Sequence, residues 1–186
     1  MSKAQAMRYL MSAQRSLMQI TEGLAIDRRE WIVKAAISDM KLWTAFPRQR
    51  KAMRETALIE AGWNFSWGDT GECGAFAARW MRAGLVYLGD CGFGEHCEVE
   101  KRTATPRTMI TAFQKWGRFL EPASPSIEHV GPGDLIVTTD VSTGHAGIVE
   151  HVAGSTIHTI EANYSGGINR VARDDLSVII GFGSVR

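Results

Sequence analysis

The chain has 186 residues, of which 45% are hydrophobic and 22% charged, and a formal net charge of +1 at neutral pH. That composition excludes a disordered or low-complexity chain and allows one compact domain with a helical extension and a sizeable core. No stretch is long enough to span a bilayer. The first twenty residues also lack the unbroken apolar core and small-residue cleavage site of a secretory signal, so a chain made soluble in the cytoplasm is expected.

The charge is unevenly spread, with eleven Lys/Arg against six Asp/Glu in residues 1–60 and ten against fourteen in the remainder. A basic front suits an anionic cell wall, a membrane surface or nucleic acid, and it equally suits a solvated helical face. No aromatic–basic repeat supports nucleic-acid readout, so no nucleic-acid partner is expected. This front, residues 1–61, reads as helical throughout. Residues 4–21 carry Met7, Leu10, Met11, Leu17, Met18 and Ile20 among polar residues, 27–43 form a second stretch, and 48–61 a third after Pro47. Packing is the primary expectation for these helices, and a wall-targeting or adaptor role is the alternative.

Residues 62–186 form the second region. Gly71-Glu72-Cys73-Gly74-Ala75-Phe76 places a cysteine where a turn meets a helix. Phe76, Ala77, Trp80, Met81 and Leu85 then recur at helical spacing, with Arg79 and Arg82 between them, so an amphipathic helix ends near Gly84. A cysteine needs a nearby histidine or a helix N-terminus to ionise at neutral pH. In the first turn, Cys73 faces unpaired backbone N–H groups and the positive end of the helix dipole.

Further on, Cys91-Gly-Phe-Gly-Glu-His96-Cys97 invites zinc or a small disulfide, but it lacks a fourth ligand and the usual short pair spacing. Reduced loop cysteines are expected, and no metal or cofactor. Residues 98–130 read as an insertion containing a helix over 108–119, with Met109, Ile110, Phe113 and Trp116 on one face. Trp63, Trp67 and Trp116 are candidates to line a substrate cleft, with Trp67 and Trp116 taken as the substrate-binding pair; core packing is the more common fate of tryptophan. His96, His129, His151 and His158 have no assigned role.

Residues 145–152 and 156–163 read as consecutive strands joined by Ala153-Gly154-Ser155. With a three-residue loop, His145 pairs with Asn163, and Glu161 is its diagonal neighbour on the same face. With a two-residue loop, Ala162 falls opposite His145 and Glu161 turns away, so the arrangement depends on register. Cys73 as nucleophile, His145 as base and Glu161 or Asn163 as orienter compose a thiol-hydrolase constellation.

The ordered set of Glu72-Cys73-Gly74-Ala75-Phe76, Gly131-Pro132-Gly133-Asp134-Leu135-Ile136-Val137, Gly144-His145-Ala146-Gly147-Ile148-Val149, Glu161-Ala162-Asn163 and Ile179-Ile180-Gly181-Phe182 resembles the CHAP family, the cysteine, histidine-dependent amidohydrolases/peptidases related to NlpC-type enzymes. The resemblance covers roughly residues 62–186. It implies an α+β papain-like fold, with the nucleophile helix packed on an antiparallel sheet of about five strands. It also implies catalytic roles for Cys73, His145, Glu161 and Asn163, and bacterial peptidoglycan as substrate. Delivery to the wall would then require a phage holin at lysis or a contact-dependent secretion apparatus, with an immunity protein as a further partner. Two features depart from the pattern: no glutamine shortly precedes Cys73, and the acidic Glu72 adjoins it. The alternatives are a thiol peptidase or acyltransferase acting on protein, and a non-catalytic wall-binding module.

Overall fold

The computed structural model describes residues 27–60, 72–84, 105–122, 126–139 and 144–185. The first helix, α1 (Arg28–Ala45), starts at Asp27, whose side chain accepts the Arg29 backbone N–H at 2.9 Å, and it stops before Pro47. A 3₁₀ turn, Pro47–Gln49, leads into α2 (Arg50–Glu60). The cysteine-bearing helix is α3 (Glu72–Ala83), followed by a turn at Gly84 as its periodicity predicts. The helix expected over 108–119 is α4 (Pro106–Lys115), and it begins earlier because Thr105 and Thr108 form a reciprocal capping box with Pro106 at the first helical position.

Among the described residues six strands follow: β1 (Phe119–Leu120), β2 (Leu135–Thr138), β3 (His145–Ala153), β4 (Thr156–Tyr164), β5 (Gly167–Arg173) and β6 (Ile179–Gly183). They form one antiparallel sheet in the order β1-β6-β2-β3-β4-β5. The fold is therefore α+β, as the resemblance implies, with six strands among the described residues where about five are expected. The added pairing is the two-residue β1, which extends the sheet at β6.

Side-chain alternation divides the sheet between two clusters. Leu135, Val137, Ala146, Ile148, Ile160 and Ala162 meet the helices through Ile32 and Ala36 of α1, Ala57 of α2, Phe76, Trp80 and Met81 of α3, and Met109 and Phe113 of α4. On the other face Ile136, Val149, Ile157, Ile179 and Phe182 form a smaller cluster. Helices α1 and α2 thus share one core with α3 and the sheet. Polar ties run the same way: Asp39 of α1, nearly buried, accepts from Trp80 Nε1 and Arg79 Nε of α3, both at 3.0 Å, and Arg79 also reaches Glu60 of α2 at 2.8 Å.

The Gly131-Pro132-Gly133-Asp134 segment docks α1 as well as opening β2. Buried Asp134 accepts backbone N–H groups of Gly131 and Val185 and, at 3.0 Å, the Arg29 guanidinium. A Cβ on Gly133 would lie 2.7 Å from the Arg29 Cα, so the helix approaches this turn as closely as only glycine permits. Among the described residues, no helix is long and apolar enough to cross a membrane.

Candidate functional site

Cys73 occupies the second position of α3 and is buried, with 6% of its surface exposed; among the described residues it is a free cysteine. Its neighbour Glu72, also buried, forms an ion pair with Arg54 of α2, so the acidic charge beside the thiol has a cationic partner on another helix. His145 is the first residue of β3, paired with Thr138 of β2 and 4% exposed. Gly144 before it has φ 79°, and a Cβ there would lie 3.2 Å from Pro106 at the start of α4. Glycine lets the chain turn into β3 in this left-handed conformation against the α4 terminus.

The register that brings the carboxylate to the imidazole arises by an unexpected route. The β3–β4 hairpin closes with Ala153 opposite Thr156, leaving a two-residue turn, Gly154-Ser155, in place of the three-residue loop. Taken alone, that turn would send Glu161 to the wrong face. A β-bulge at Glu150 adds one residue to β3, so Val149 pairs with Thr159 and Gly147 with Glu161. The bulge restores the parity that the shorter turn removes, and Glu161 lies diagonal to His145 on its face.

Glu161 is fully buried, and its Oε2 lies 3.0 Å from His145 Nε2. The approach is short but off axis, so Nε2 completes no hydrogen bond of good geometry; such contacts commonly tighten only when substrate binds. The carboxylate accepts hydrogen bonds from Thr159 Oγ1 at Oε1 (2.6 Å) and from Arg173 Nε and Nη2 at Oε1 and Oε2 (3.0 and 2.6 Å). Burial by itself would raise the Glu161 pKa, but the close His145 imidazole, the hydrogen bonds from Arg173 and Thr159 and the Arg173 charge outweigh it and hold the group below its ordinary value. For His145, burial works to lower the pKa. Hydrogen bonding and charge from Cys73 and Glu161 oppose it and push the imidazole up to about 9. Cys73 and Glu161 therefore both act on one imidazole, which carries its proton at neutral pH.

Asn163 does not share this position. A second bulge, between Ala162 and Tyr164, leaves it exposed with φ 60°. The same bulge turns Tyr164 toward the site, where its ring lies edge-on to His145 at 5.9 Å between centroids. Of the two orienters the sequence leaves open, Glu161 is the one beside the imidazole.

Trp116 caps α4 at the end away from Gly144, about ten residues or ~15 Å along the helix axis from Pro106. It is half-buried, packs edge-on to Phe113 at 5.3 Å and joins the helical core. Trp67, like Trp63, Cys91, His96 and Cys97, lies outside the described residues. Among the described residues, no group of three or more His, Cys, Asp or Glu could hold a metal ion. His151 and His158 stack on each other at 4.2 Å near the hairpin turn.

Arg173, Thr159 and Tyr164 are the contributors that sequence reasoning misses. Thr159 shares strand parity with Glu161 and was open to detection on that ground. Arg173 is twelve residues from Glu161 and meets it only because β5 pairs back along β4.

No protein-family profile matches the chain, and no curated protein matches it. Among solved structures it is similar to "The crystal structure of Ly7917 with the hydrolyzing product of MDP", at 20% identity and a TM-score of 0.45, over 70% of this chain and 60% of that one. A second structure, "The crystal structure of Ly7917", gives 18% identity and a TM-score of 0.39 over the same shares. The chain thus spans about 60% of the length of the solved structures it matches.

Proposed function

We infer that this chain is a thiol amidohydrolase that cleaves peptide amide bonds of bacterial peptidoglycan. The observation that carries the chemistry is a buried cysteine at a helix start acting on an imidazole held at about 9, with a buried, ionised glutamate 3.0 Å from Nε2 of the same imidazole. The CHAP-like motifs around these residues support the choice of cell-wall peptide as substrate.

The reacting pair in this mechanism is the Cys73 thiolate beside the His145 imidazolium. The sulfur attacks the amide carbonyl, forming a C–S bond as the carbonyl electrons move to oxygen, which takes the Cys73 backbone N–H at the start of α3 as its donor in this reading. His145 protonates the leaving nitrogen as the C–N bond breaks, which leaves an acyl-thioenzyme and a neutral imidazole. Water, deprotonated by His145, then attacks the thioester, and the carboxylic acid departs as the thiolate–imidazolium pair re-forms. Glu161 orients the ring and offsets its positive charge in both steps. Delivery to the wall belongs to the same proposal, through a holin at lysis or a contact-dependent apparatus.

The test is incubation of the protein and its Cys73→Ala variant with purified Gram-negative and Gram-positive sacculi, with released fragments identified by mass spectrometry. Fragments released only by the unmodified protein are expected, and their ends identify the amide that is cut. Intact sacculi with both proteins, while Cys73 still alkylates rapidly at mildly acidic pH, would overturn the wall substrate and move the assignment to a protein substrate.

A further inference from the structure

Three features converge on Arg173. It is itself 7% exposed, it grips both carboxylate oxygens of Glu161, and its guanidinium lies over the Tyr164 ring at 5.2 Å from the centroid. Tyr164 in turn stands edge-on to His145. One cation thus touches both groups that flank the imidazole, the carboxylate at Nε2 and the aromatic ring beside it. A two-point fork restrains the Glu161 rotamer as a single donor or a point charge cannot. The cation–π contact restrains Tyr164 without using up a hydrogen bond.

We propose that Arg173 is the positioning residue of this site, holding Glu161 ionised and in place against His145 and pinning Tyr164 edge-on to the imidazole. The proposal rests on the Cys73–His145–Glu161 reading and adds to it a residue that touches neither the sulfur nor the substrate. Its physical basis is that a fully buried carboxylate stays charged only when it is paired and hydrogen-bonded. His145 supplies half of that pairing and gives up its proton during turnover. Arg173 keeps its proton throughout, so the carboxylate has a cationic partner at the step in which His145 is neutral.

The sign of one measurement separates positioning from a nearby charge. Removing a cation that acts only through space would stabilise the imidazolium and raise the His145 titration midpoint. Removing a residue that holds Glu161 in place lets the carboxylate leave or take up a proton, and the midpoint falls. The experiment is an NMR titration of the His145 imidazole, assigned by its absence in His145→Gln, in the unmodified protein and in Arg173→Gln, Arg173→Lys, Glu161→Gln and the double variant Arg173→Gln/Glu161→Gln.

The expected midpoint of about 9 falls by at least about one pH unit in Arg173→Gln and by less in Arg173→Lys, which keeps the charge without the fork. In the double variant it falls no further than in Glu161→Gln alone, because Arg173 acts through that carboxylate. A midpoint unchanged or raised in Arg173→Gln, or fully additive shifts in the double variant, would overturn the proposal. Arg173→Lys keeps the test open if the glutamine variant does not fold. The readout needs no hydrolysis, so intact sacculi would count against the wall-hydrolase reading and leave the titration result to decide the role of Arg173.

Discussion

His145 carries the clearest pH signature at the scale of single residues, because its environment sets two opposed effects against each other. Burial favours the neutral ring, while Cys73 and Glu161 favour the imidazolium, and the second influence prevails, with the midpoint pushed up to about 9. Since the folded value lies above the ordinary 6.5, the stability this group contributes is fully present below about pH 6.5 and is lost as pH rises through about 9. Hydrolysis that needs the imidazolium as acid follows the same course, so an alkaline limb near pH 9 is expected in kcat/KM. In Glu161→Gln that limb moves to lower pH and the neutral-pH rate drops by roughly tenfold or more. A pH–rate profile of the two proteins checks both statements, and a limb that stays in place would remove Glu161 from the proposed chemistry. The exposed Asn163, turned outward at its bulge, shows that a residue type suited to orienting histidine does not suffice when the backbone aims it elsewhere.

Among the elements, β3 decides whether the site exists. Its bulge at Glu150 offsets the tight Gly154-Ser155 turn, and the exposed Glu150–Arg170 pair, at 2.7–3.0 Å, lies directly beside it. The strand also needs a residue without a side chain at Gly147, because a Cβ there would lie 2.6 Å from Glu161 Cγ and 3.0 Å from the Ile160 carbonyl oxygen. The Glu161 side chain crosses over this glycine on its way to His145. Gly147→Ala is therefore expected to displace the carboxylate with the sheet intact. Turnover should fall by roughly tenfold or more, with unchanged far-UV circular dichroism and a lowered His145 midpoint. Activity equal to that of the unmodified protein would show that the close approach has no functional weight.

Across the whole molecule, the helical N-terminal region and the site-bearing region share one interior. Ile32 and Ala36 of α1 and Ala57 of α2 are fully buried against Trp80, Phe76 and the sheet. Burial of a side chain such as Ile32 contributes about 1.5–3 kcal/mol against a total stability of about 5–15 kcal/mol for a typical domain. Asp39, Arg79 and Glu60 tie the same three helices through buried or half-buried polar contacts, and Arg54 of α2 pairs with Glu72 next to Cys73. A chain restricted to residues 62–186 is accordingly expected to lack fixed packing. The checks are poor dispersion in its proton–nitrogen spectrum and binding of a hydrophobic dye that the full chain does not bind. A well-dispersed spectrum with retained activity would instead make the front helices dispensable. The boundary at residue 61 that composition suggests is a change in charge and period, and it is not a gap in the core.

The sequence by itself determined the elements and the chemistry on offer. Helical spacing after Cys73 located α3 and period-two alternation located β3 and β4, because these signals are local and depend on residues a few positions apart, and the order of cysteine, histidine and glutamate suggested the thiol chemistry proposed above. Only the tertiary structure decided which groups meet. The loop between β3 and β4 is one residue shorter than the strand spacing suggests, and the bulge that compensates for it has no mark in the sequence, since an extra residue in a strand looks like any other strand residue. Arg173 joins Glu161 through the pairing of β4 with β5, and α1 reaches the turn before β2 across more than a hundred residues of chain. Those contacts depend on how elements stack and on the register in which they pair, and composition and periodicity do not carry that information.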